Sequence, residues 1–365
     1  MEVCIIGAGL AGLYAGLRLK ARGVRVSIHE KSGRIGGRVG TIQFAGMRLP
    51  TGAGIGRKAK DRLLLRLCAE LAVPVRVFTT RTNYKLAHTV ELVPTIARLR
   101  ALQGTADRAT TTFREFGIRA LGRGAYEDFV ATTGYADYEE ADLVDTLCHY
   151  GLEDVVPGYE AFTLDWSLLL RRLGEALRDE IRLGSAFTRA DFRRGGRYII
   201  ATDIDAARAL LPDAAPLRGV MSQPFLRLYF TCDVDLRCGH TVCDGFQKLI
   251  QMAPSVYMIY SDNATARAIA EASNVREYIE RRILEVFGKR ATVLDHRLVF
   301  WERGTHYYKP LDTARFRSRR LFISALQRPA SGVFVAGEAV SLHQGWCEGA
   351  LESVESILPE VLTRG

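Results

Sequence analysis

The chain has 365 residues, 48% of them hydrophobic and 25% charged, with a net charge of +9 at neutral pH. That length exceeds a usual single-core domain, so two lobes are expected, and the composition excludes a disordered, collagenous or disulfide-framework protein. No apolar run approaches the ~20 residues that span a bilayer, and the basic residues are scattered without a nucleic-acid module, so neither a membrane anchor nor a nucleic-acid partner is expected.

The first element is the apolar run Val3-Cys4-Ile5-Ile6. The glycine cluster Gly7-Ala8-Gly9-Leu10-Ala11-Gly12 follows, and then residues 13–19, whose apolar members recur at helical spacing. A second apolar run, residues 24–28, ends at His29-Glu30. This reads as strand, tight turn, helix, strand, the opening unit of a dinucleotide-binding fold. Gly7 lets the chain turn off the strand, Gly9 admits a pyrophosphate close to the backbone, and Gly12 lets helix and strand pack tightly. The helix N-terminus offers unpaired N–H groups to phosphates. Glu30, about 20 residues on, is placed to accept hydrogen bonds from ribose hydroxyls. Directly after it, Lys31-Ser32-Gly33-Arg34-Ile35-Gly36-Gly37-Arg38 supplies further glycines and two arginines, a second anion-facing surface.

Residues 56–72 carry Leu63, Leu64, Leu67 and Leu71 at helical spacing, Pro74 ends that helix, and residues 75–78 read as a short strand. Residues 85–160 show no repeated βα pattern. Helical segments at 91–103 and 125–132, broken by Gly104, Gly117, Gly134 and Gly151, read as a helical lobe over one side of a substrate site. Tyr135, Tyr138, Tyr150 and Tyr159 are candidates to line a pocket, although aromatic residues in such a lobe are more often core. Asp165 or Ser167 caps a helix over residues 168–179. Strands at 181–184 and 197–203 follow, and Pro212 to Pro216 marks a crossing between lobes. Strands at 225–230, 246–252 and 256–260 suggest an antiparallel sheet as the floor of the substrate site. Helices at 263–272 and 275–287 come next, the second started by Asn274 with Glu277 and ended by Gly288. Cys232, Cys238, His240 and Cys243 are four soft ligands in a short stretch, but their spacing fits no common zinc pattern, and no metal site is expected. The basic run Arg315 to Arg320 reads as a solvated loop. Seven cysteines, an odd number, point to reduced thiols.

The C-terminal part carries Phe300-Trp301-Glu302-Arg303-Gly304-Thr305-His306-Tyr307-Tyr308 and Val333-Phe334-Val335-Ala336-Gly337-Glu338-Ala339. Gly345-Trp346-Cys347-Glu348-Gly349-Ala350 closes it. Together with Leu49-Pro50-Thr51-Gly52-Ala53-Gly54, these stretches resemble the FAD-dependent amine oxidases of the monoamine and polyamine oxidase type. The family's acid–x–x–x–Arg–x–Gly–Gly–Arg signature is matched by Glu30, Arg34, Gly36, Gly37 and Arg38. The likeness covers roughly the first 60 and last 35 residues, with patches between.

The resemblance implies an α/β, two-lobed fold. A Rossmann-like FAD-binding domain would comprise residues 1–75, 162–212 and 325–365. A substrate-binding domain of helices plus antiparallel sheet would comprise 76–161 and 213–324. The implied cofactor is FAD, held by Gly7, Gly9, Gly12, Glu30, Arg34, Gly36, Gly37, Arg38, Gly52, Ala53, Gly337, Glu338 and Trp346. His306, not Cys, precedes Tyr307, so a cysteinyl link is excluded there. Non-covalent binding is the expectation, with a histidyl link through His306 as the lesser alternative. Tyr307 and Trp346 are the implied pair of rings flanking the amine, with Tyr308 as an alternative to Tyr307. Lys248 is the implied flavin-facing lysine, and Arg227 lies on the neighbouring strand. The implied reaction is oxidation of an amine to an imine, with O2 as final acceptor and peroxide released. Partners are then a small amine and O2, in a soluble, cytoplasmic protein without targeting signal. Two other readings stand beside it: a desaturase, porphyrinogen oxidase or amino-acid oxidase of the same superfamily, in which Arg227 would take a carboxylate, or a flavin-binding scaffold or sensor with little turnover.

Overall fold

A parallel sheet and an antiparallel sheet divide the computed structural model, which describes residues 1–363 apart from 106, 108 and 109. The parallel sheet has five strands in the order Val333–Val335, Tyr198–Ile200, Glu2–Ile6, Arg25–His29 and Ile181–Arg182. Its strands come from both ends and the middle of the chain, so this lobe is discontinuous in sequence. The apolar runs that predicted strands are buried on both faces, as a sheet covered by helices requires. Helices Leu10–Lys20, Trp166–Ala176 and Cys347–Leu362 cover one face, through a core that includes Leu13, Ile28, Leu173, Leu351 and Val354. Asp165 starts the second of these by accepting from the N–H groups of Ser167 and Leu168, and the helix ends at Ala176, short of residue 179.

The second sheet has six strands: Val293–Tyr308, Val220–Cys232, Val256–Asp262, Gln247–Ala253, His240–Cys243 and Asn83–Lys85. All pairs are antiparallel except the last. The two longest strands pair over nearly their whole length and break register between Gln223 and Phe225. Pro224 sits there, where a missing N–H forbids a ladder bond. Opposite it, an added Cβ on Gly304 would lie 2.7 Å from the Phe225 nitrogen. The bulge therefore bends the strand immediately before Thr305 and His306.

Helices Leu92–Leu102, Phe113–Leu121, Arg123–Thr133 and Leu143–Cys148 form the helical lobe, around Phe113, Phe129, Tyr138 and Leu147. Two of them were not read from the sequence. Phe113–Leu121 begins with a full capping box, Thr112 with Glu115, and Leu143–Cys148 is capped by Asp142. A hairpin of Thr41–Phe44 and Met47–Pro50 was likewise missed. Residues 56–72 are shorter in helix than their leucine spacing predicts. The helix is Arg62–Glu70, and Gly56–Arg57 joins a small sheet with Glu160–Leu164 and Val75–Thr79. Cys232, Cys238 and Cys243 lie buried in the apolar core behind the antiparallel sheet, where burial pushes the Cys238 thiol up to about 11 and Cys243 up to about 12. No helix among the described residues is long and apolar enough to cross a membrane.

Candidate functional site

The glycine turn has the geometry that its spacing predicts, and each glycine has a different reason. Gly7 is held at φ +102°, and an added Cβ there would lie 2.6 Å from the Ala201 carbonyl oxygen. At Gly12 the clash is worse, 1.9 Å from the Gly7 carbonyl oxygen. Gly9 differs: its backbone is extended, φ −70°, and nothing lies within 4 Å of where a Cβ would stand. The open space is in front of the helix N-terminus, where a diphosphate would rest. The second glycine loop lies against the first, with the Gly36 N–H donating to the Ala8 carbonyl at 2.8 Å.

Glu30 also braces this loop. Its carboxylate accepts from the Ala8 N–H at 2.9 Å and from the Ser32 N–H at 2.9 Å. It fixes the turn as well as offering its remaining lone pairs outward. Arg34 is exposed and donates to the Gly37 carbonyl at 2.9 Å, closing its own turn. Arg38 is turned inward, where Nη1 donates to the Gly304 carbonyl at 2.8 Å and to Glu338 Oε1 at 2.5 Å. Glu338 is buried, and it also accepts from the Gly345 N–H at 2.9 Å and meets Nδ1 of His306. Burial would raise its carboxyl, but His306 and Arg38 outweigh burial and hold it well below the usual carboxylate range. Residues around 38, 304–306 and 338–345 thus converge on one carboxylate.

The junction loop at residues 50–54 is clamped by side chains. Tyr229 Oη donates to the Pro50 carbonyl at 2.5 Å and Trp301 Nε1 to that of Thr51 at 2.8 Å. Arg227 Nε donates to the Gly52 carbonyl at 2.9 Å and Trp166 Nε1 to that of Gly54 at 3.2 Å. With the carbonyls of this loop held from the antiparallel sheet and one helix, its Gly52-Ala53-Gly54 segment is fixed between the lobes. Gly52 itself has no room for a side chain, since a Cβ would lie 1.9 Å from the Arg38 carbonyl oxygen.

Arg227 is the charged residue among those of the antiparallel sheet that bond this loop. It is buried, packs over the Tyr260 ring at 5.1 Å, and has no carboxylate within 4 Å among the described residues. Lys248, the lysine that the sequence singles out, lies elsewhere. It is two strands further across the sheet, and its ammonium lies over the Tyr135 ring without a hydrogen-bond partner. Burial drives its pKa well below the ordinary lysine value, and the Asp262 and Asp137 carboxylates offset only part of that. Asp137, which accepts from Tyr150 Oη at 2.5 Å, is pushed up to about 7 by burial and by Asp262.

Tyr307 and Tyr308 face opposite ways, as strand neighbours must. Tyr308 is buried, donates to the Ser341 carbonyl at 2.9 Å and packs edge-on to Phe322, so it is a core residue. Tyr307 is half-buried and lines a small cavity of about 30 Å³ with Asp137, Asp145, Tyr150, Thr305 and His306. The cavity reaches Gly345. Trp346 is half-buried just beyond it, at the start of the last helix, with the Arg57 guanidinium 3.8 Å over its ring. Arg57 is itself fixed by Asp61 at 2.6 Å and Asp154 at 3.0 Å. Sequence reading did not find the Arg57 support, the Arg227 clamp or the His306–Glu338 contact. Each joins residues distant in the chain or on different elements, and none carries a local signal.

Comparison with known proteins agrees with this geometry. Residues 5–71 match the NAD(P)-binding Rossmann-like domain model. Over 81 residues the chain is 39% identical to phytoene dehydrogenase of Streptomyces griseus, which is 18% of this chain and 16% of that protein. Over 62 residues it is 36% identical to protoporphyrinogen oxidase 2 of Arabidopsis thaliana, 17% of this chain and 12% of that one. These alignments therefore span well under a fifth of the curated relatives. Among solved structures, an engineered double mutant of putrescine oxidase matches 100% of the chain and 99% of its own, with a TM-score of 0.79 at 14% identity. Cyclohexylamine oxidase from Brevibacterium oxydans IH-35A matches 99% of each chain, with a TM-score of 0.75 at 17% identity. The chain carries an NAD(P)-binding Rossmann-like domain over residues 5–71, and its fold is that of the putrescine and cyclohexylamine oxidase structures.

Proposed function

We propose that the chain is an FAD-dependent oxidase that converts an amine to an imine, with O2 as final electron acceptor and peroxide as by-product. The observation that carries this reading is the convergence on Glu338. Arg38 from the second glycine loop, Gly345 from the closing turn and His306 from the long strand all meet that one carboxylate. Such a junction would set the isoalloxazine end of a dinucleotide whose phosphates lie at Gly9.

The open space at Gly9, with nothing within 4 Å of a Cβ position, supports a fit to the diphosphate of FAD. In this reading residues 1–75, 162–212 and 325–365 bind the cofactor, and residues 76–161 and 213–324 enclose the substrate. Gly7, Gly9 and Gly12 would hold the diphosphate and Glu30 the ribose, while Gly36, Gly37, Arg38, Gly52, Ala53, Gly337 and Glu338 would line the ring end. When bound, FAD supplies the two-electron acceptor that no side chain can provide. Tyr307 and Trp346 would orient the amine and exclude water, and the Arg57 stack would hold the Trp346 plane. Arg227 donates to the Gly52 carbonyl of the loop that would contact the cofactor, and Lys248 lies two strands further across the sheet. The test is direct: purified protein reconstituted with FAD is assayed for peroxide across a panel of primary, secondary and di-amines. Release of peroxide with any of them supports the reading, and none with all of them removes it.

A second reading has its own support. Sequence relatives over short stretches of the chain are a phytoene dehydrogenase and a protoporphyrinogen oxidase. Oxidation of a carotenoid or porphyrinogen without amine turnover would favour it.

A further inference from the structure

The strand Val293–Tyr308 closes one side of the antiparallel sheet, so one of its edges faces away from its neighbour Val220–Cys232. The backbone of His296 shows which groups lie on that edge. Its N–H donates to Asp295 Oδ1 at 2.7 Å, and its carbonyl accepts from Arg297 Nη1 at 3.2 Å. Side chains of the two adjoining residues thus stand where a further strand would bond. Alternation puts the N–H and carbonyl of Leu298 on the same side. Toward the start of the strand the edge is taken. The Val293 N–H donates to Glu280 Oε1 at 2.8 Å and its carbonyl accepts from Arg276 Nη1 at 2.6 Å, both on the helix Val275–Phe287. The open stretch therefore begins at Leu294.

This stretch is exposed and partly apolar. Leu294 is 58% exposed and Leu298 36%, and the side chains of Asp295 and Arg297 are 57% and 61% exposed. Bare edges are a liability that proteins blunt with charge, proline, bulges or a covering element. Here the charge is of both signs, and its order is self-complementary: Leu294-Asp295-His296-Arg297-Leu298 runs apolar, acid, histidine, base, apolar. Reversed and laid alongside itself about His296, it sets each Asp295 opposite an Arg297 and each Leu294 opposite a Leu298. Opposite charges and apolar pairs in those positions stabilise a strand pair, and like charges weaken it. The charges also select the register. Moving the centre by one residue faces Arg297 with Arg297 or Asp295 with Asp295. A two-fold axis through the His296 pair, perpendicular to the sheet, satisfies all of the favourable contacts at once.

We propose that this edge binds the same edge of a second copy of the chain, antiparallel and centred on His296, joining two six-stranded sheets into one. Asp295 and Arg297 then release the backbone of His296 and pair across the axis, and the freed N–H and carbonyl bond those of His296 in the second copy. The contact is short, so the dimer is a weak one, with a Kd on the order of 1–100 µM. It depends on neither the cofactor nor the reaction.

Sedimentation velocity of the purified full chain across that concentration range tests the pairing. Wild type should shift from monomer to dimer. A wild type that stays monomeric throughout means that its own side chains suffice to cap the edge, and overturns the proposal. Asp295→Arg faces arginine with arginine twice across the axis, and Arg297→Asp faces aspartate with aspartate, so each variant alone should dimerise at least about tenfold more weakly. Both positions are exposed, and the thermal midpoints should match wild type. Mixed in equal amounts, the two variants restore an acid–base pair at every position, and dimer should return to near the wild-type level. A dimer that either substitution leaves intact belongs to another surface, and a mixture that stays monomeric refutes this register. Either result removes the proposal.

Discussion

The contrast between two glycines of the first turn gives the sharpest test of the cofactor cradle. At Gly12 an added methyl would stand 1.9 Å from the Gly7 carbonyl oxygen, and that atom is backbone in a turn already held at φ +102°. The loop would have to move by more than 1 Å, and overpacking of this kind costs about 1–3 kcal/mol. At Gly9 the backbone already has a conformation that alanine adopts, and the methyl would meet nothing within 4 Å. Gly9→Ala should therefore leave the cofactor-free protein within about 0.5 kcal/mol of wild type. The same methyl would stand where the diphosphate approaches the helix N-terminus. Lengthening one or two charge-assisted hydrogen bonds there removes about 1.4–2.8 kcal/mol, a tenfold to hundredfold weaker FAD Kd. Thermal midpoints without FAD, and FAD titrations followed by flavin fluorescence, measure the two quantities separately. Gly9→Ala that binds FAD like wild type would refute the cradle. A midpoint lowered as far as that of Gly12→Ala would show that Gly9 is structural instead.

Three further predictions concern the rest of the site. Asp61→Asn leaves the buried Arg57 guanidinium with Asp154 alone and should cost about 3–5 kcal/mol in stability, with a matching loss of order in the Trp346 indole seen by fluorescence. Because the Glu338 carboxyl lies below its unfolded value, the stability that it contributes is complete above about pH 4.3 and is lost as pH falls below that; Glu338→Gln should flatten this acid limb, while an unchanged acid profile would show that the carboxylate is not buried and paired. Lys248 is the opposite case: its folded pKa is lowered, so its ionisation opposes folding below the ordinary lysine value and the penalty fades as pH rises. Lys248→Met removes that penalty together with the cation beside the buried Asp137 and Asp262 carboxylates, so the rise of stability with pH above neutrality should flatten, and an unchanged profile would show that the lysine is not buried.

What the sequence discloses here is decided by how local each cause is. Gly7, Gly9 and Gly12 were legible because the strand, the turn and the helix that need them are contiguous. Glu30 was legible as an acid at the end of the second strand, but its bonds to the Ala8 and Ser32 N–H groups depend on how two loops lie together. Lys248 and Arg227 could not be ranked by alternation, since the order of strands in the sheet decides which one reaches residues 50–54. Arg34 was legible as an anion-facing arginine, but its bond to the Gly37 carbonyl, which closes its own turn, was not. The contact between His306 and Glu338 has no sequence signature at all, because it depends on a bulge set by Pro224 and on a turn that returns Glu338 to the same place.

The strand order of the parallel sheet has a consequence for biosynthesis. Glu2–Ile6 leaves the ribosome well before its neighbour Tyr198–Ile200, which emerges roughly 190 residues later, about 10–40 s at ordinary elongation rates. During that interval one edge of the nascent nucleotide-binding half stays bare, with Val3 and Ile5 lacking most of their final cover. The outermost strand, Val333–Val335, arrives later still. The parallel sheet is therefore complete only once that strand has been made, and until then early folding of the intervening section or a chaperone would keep the bare edge from pairing elsewhere.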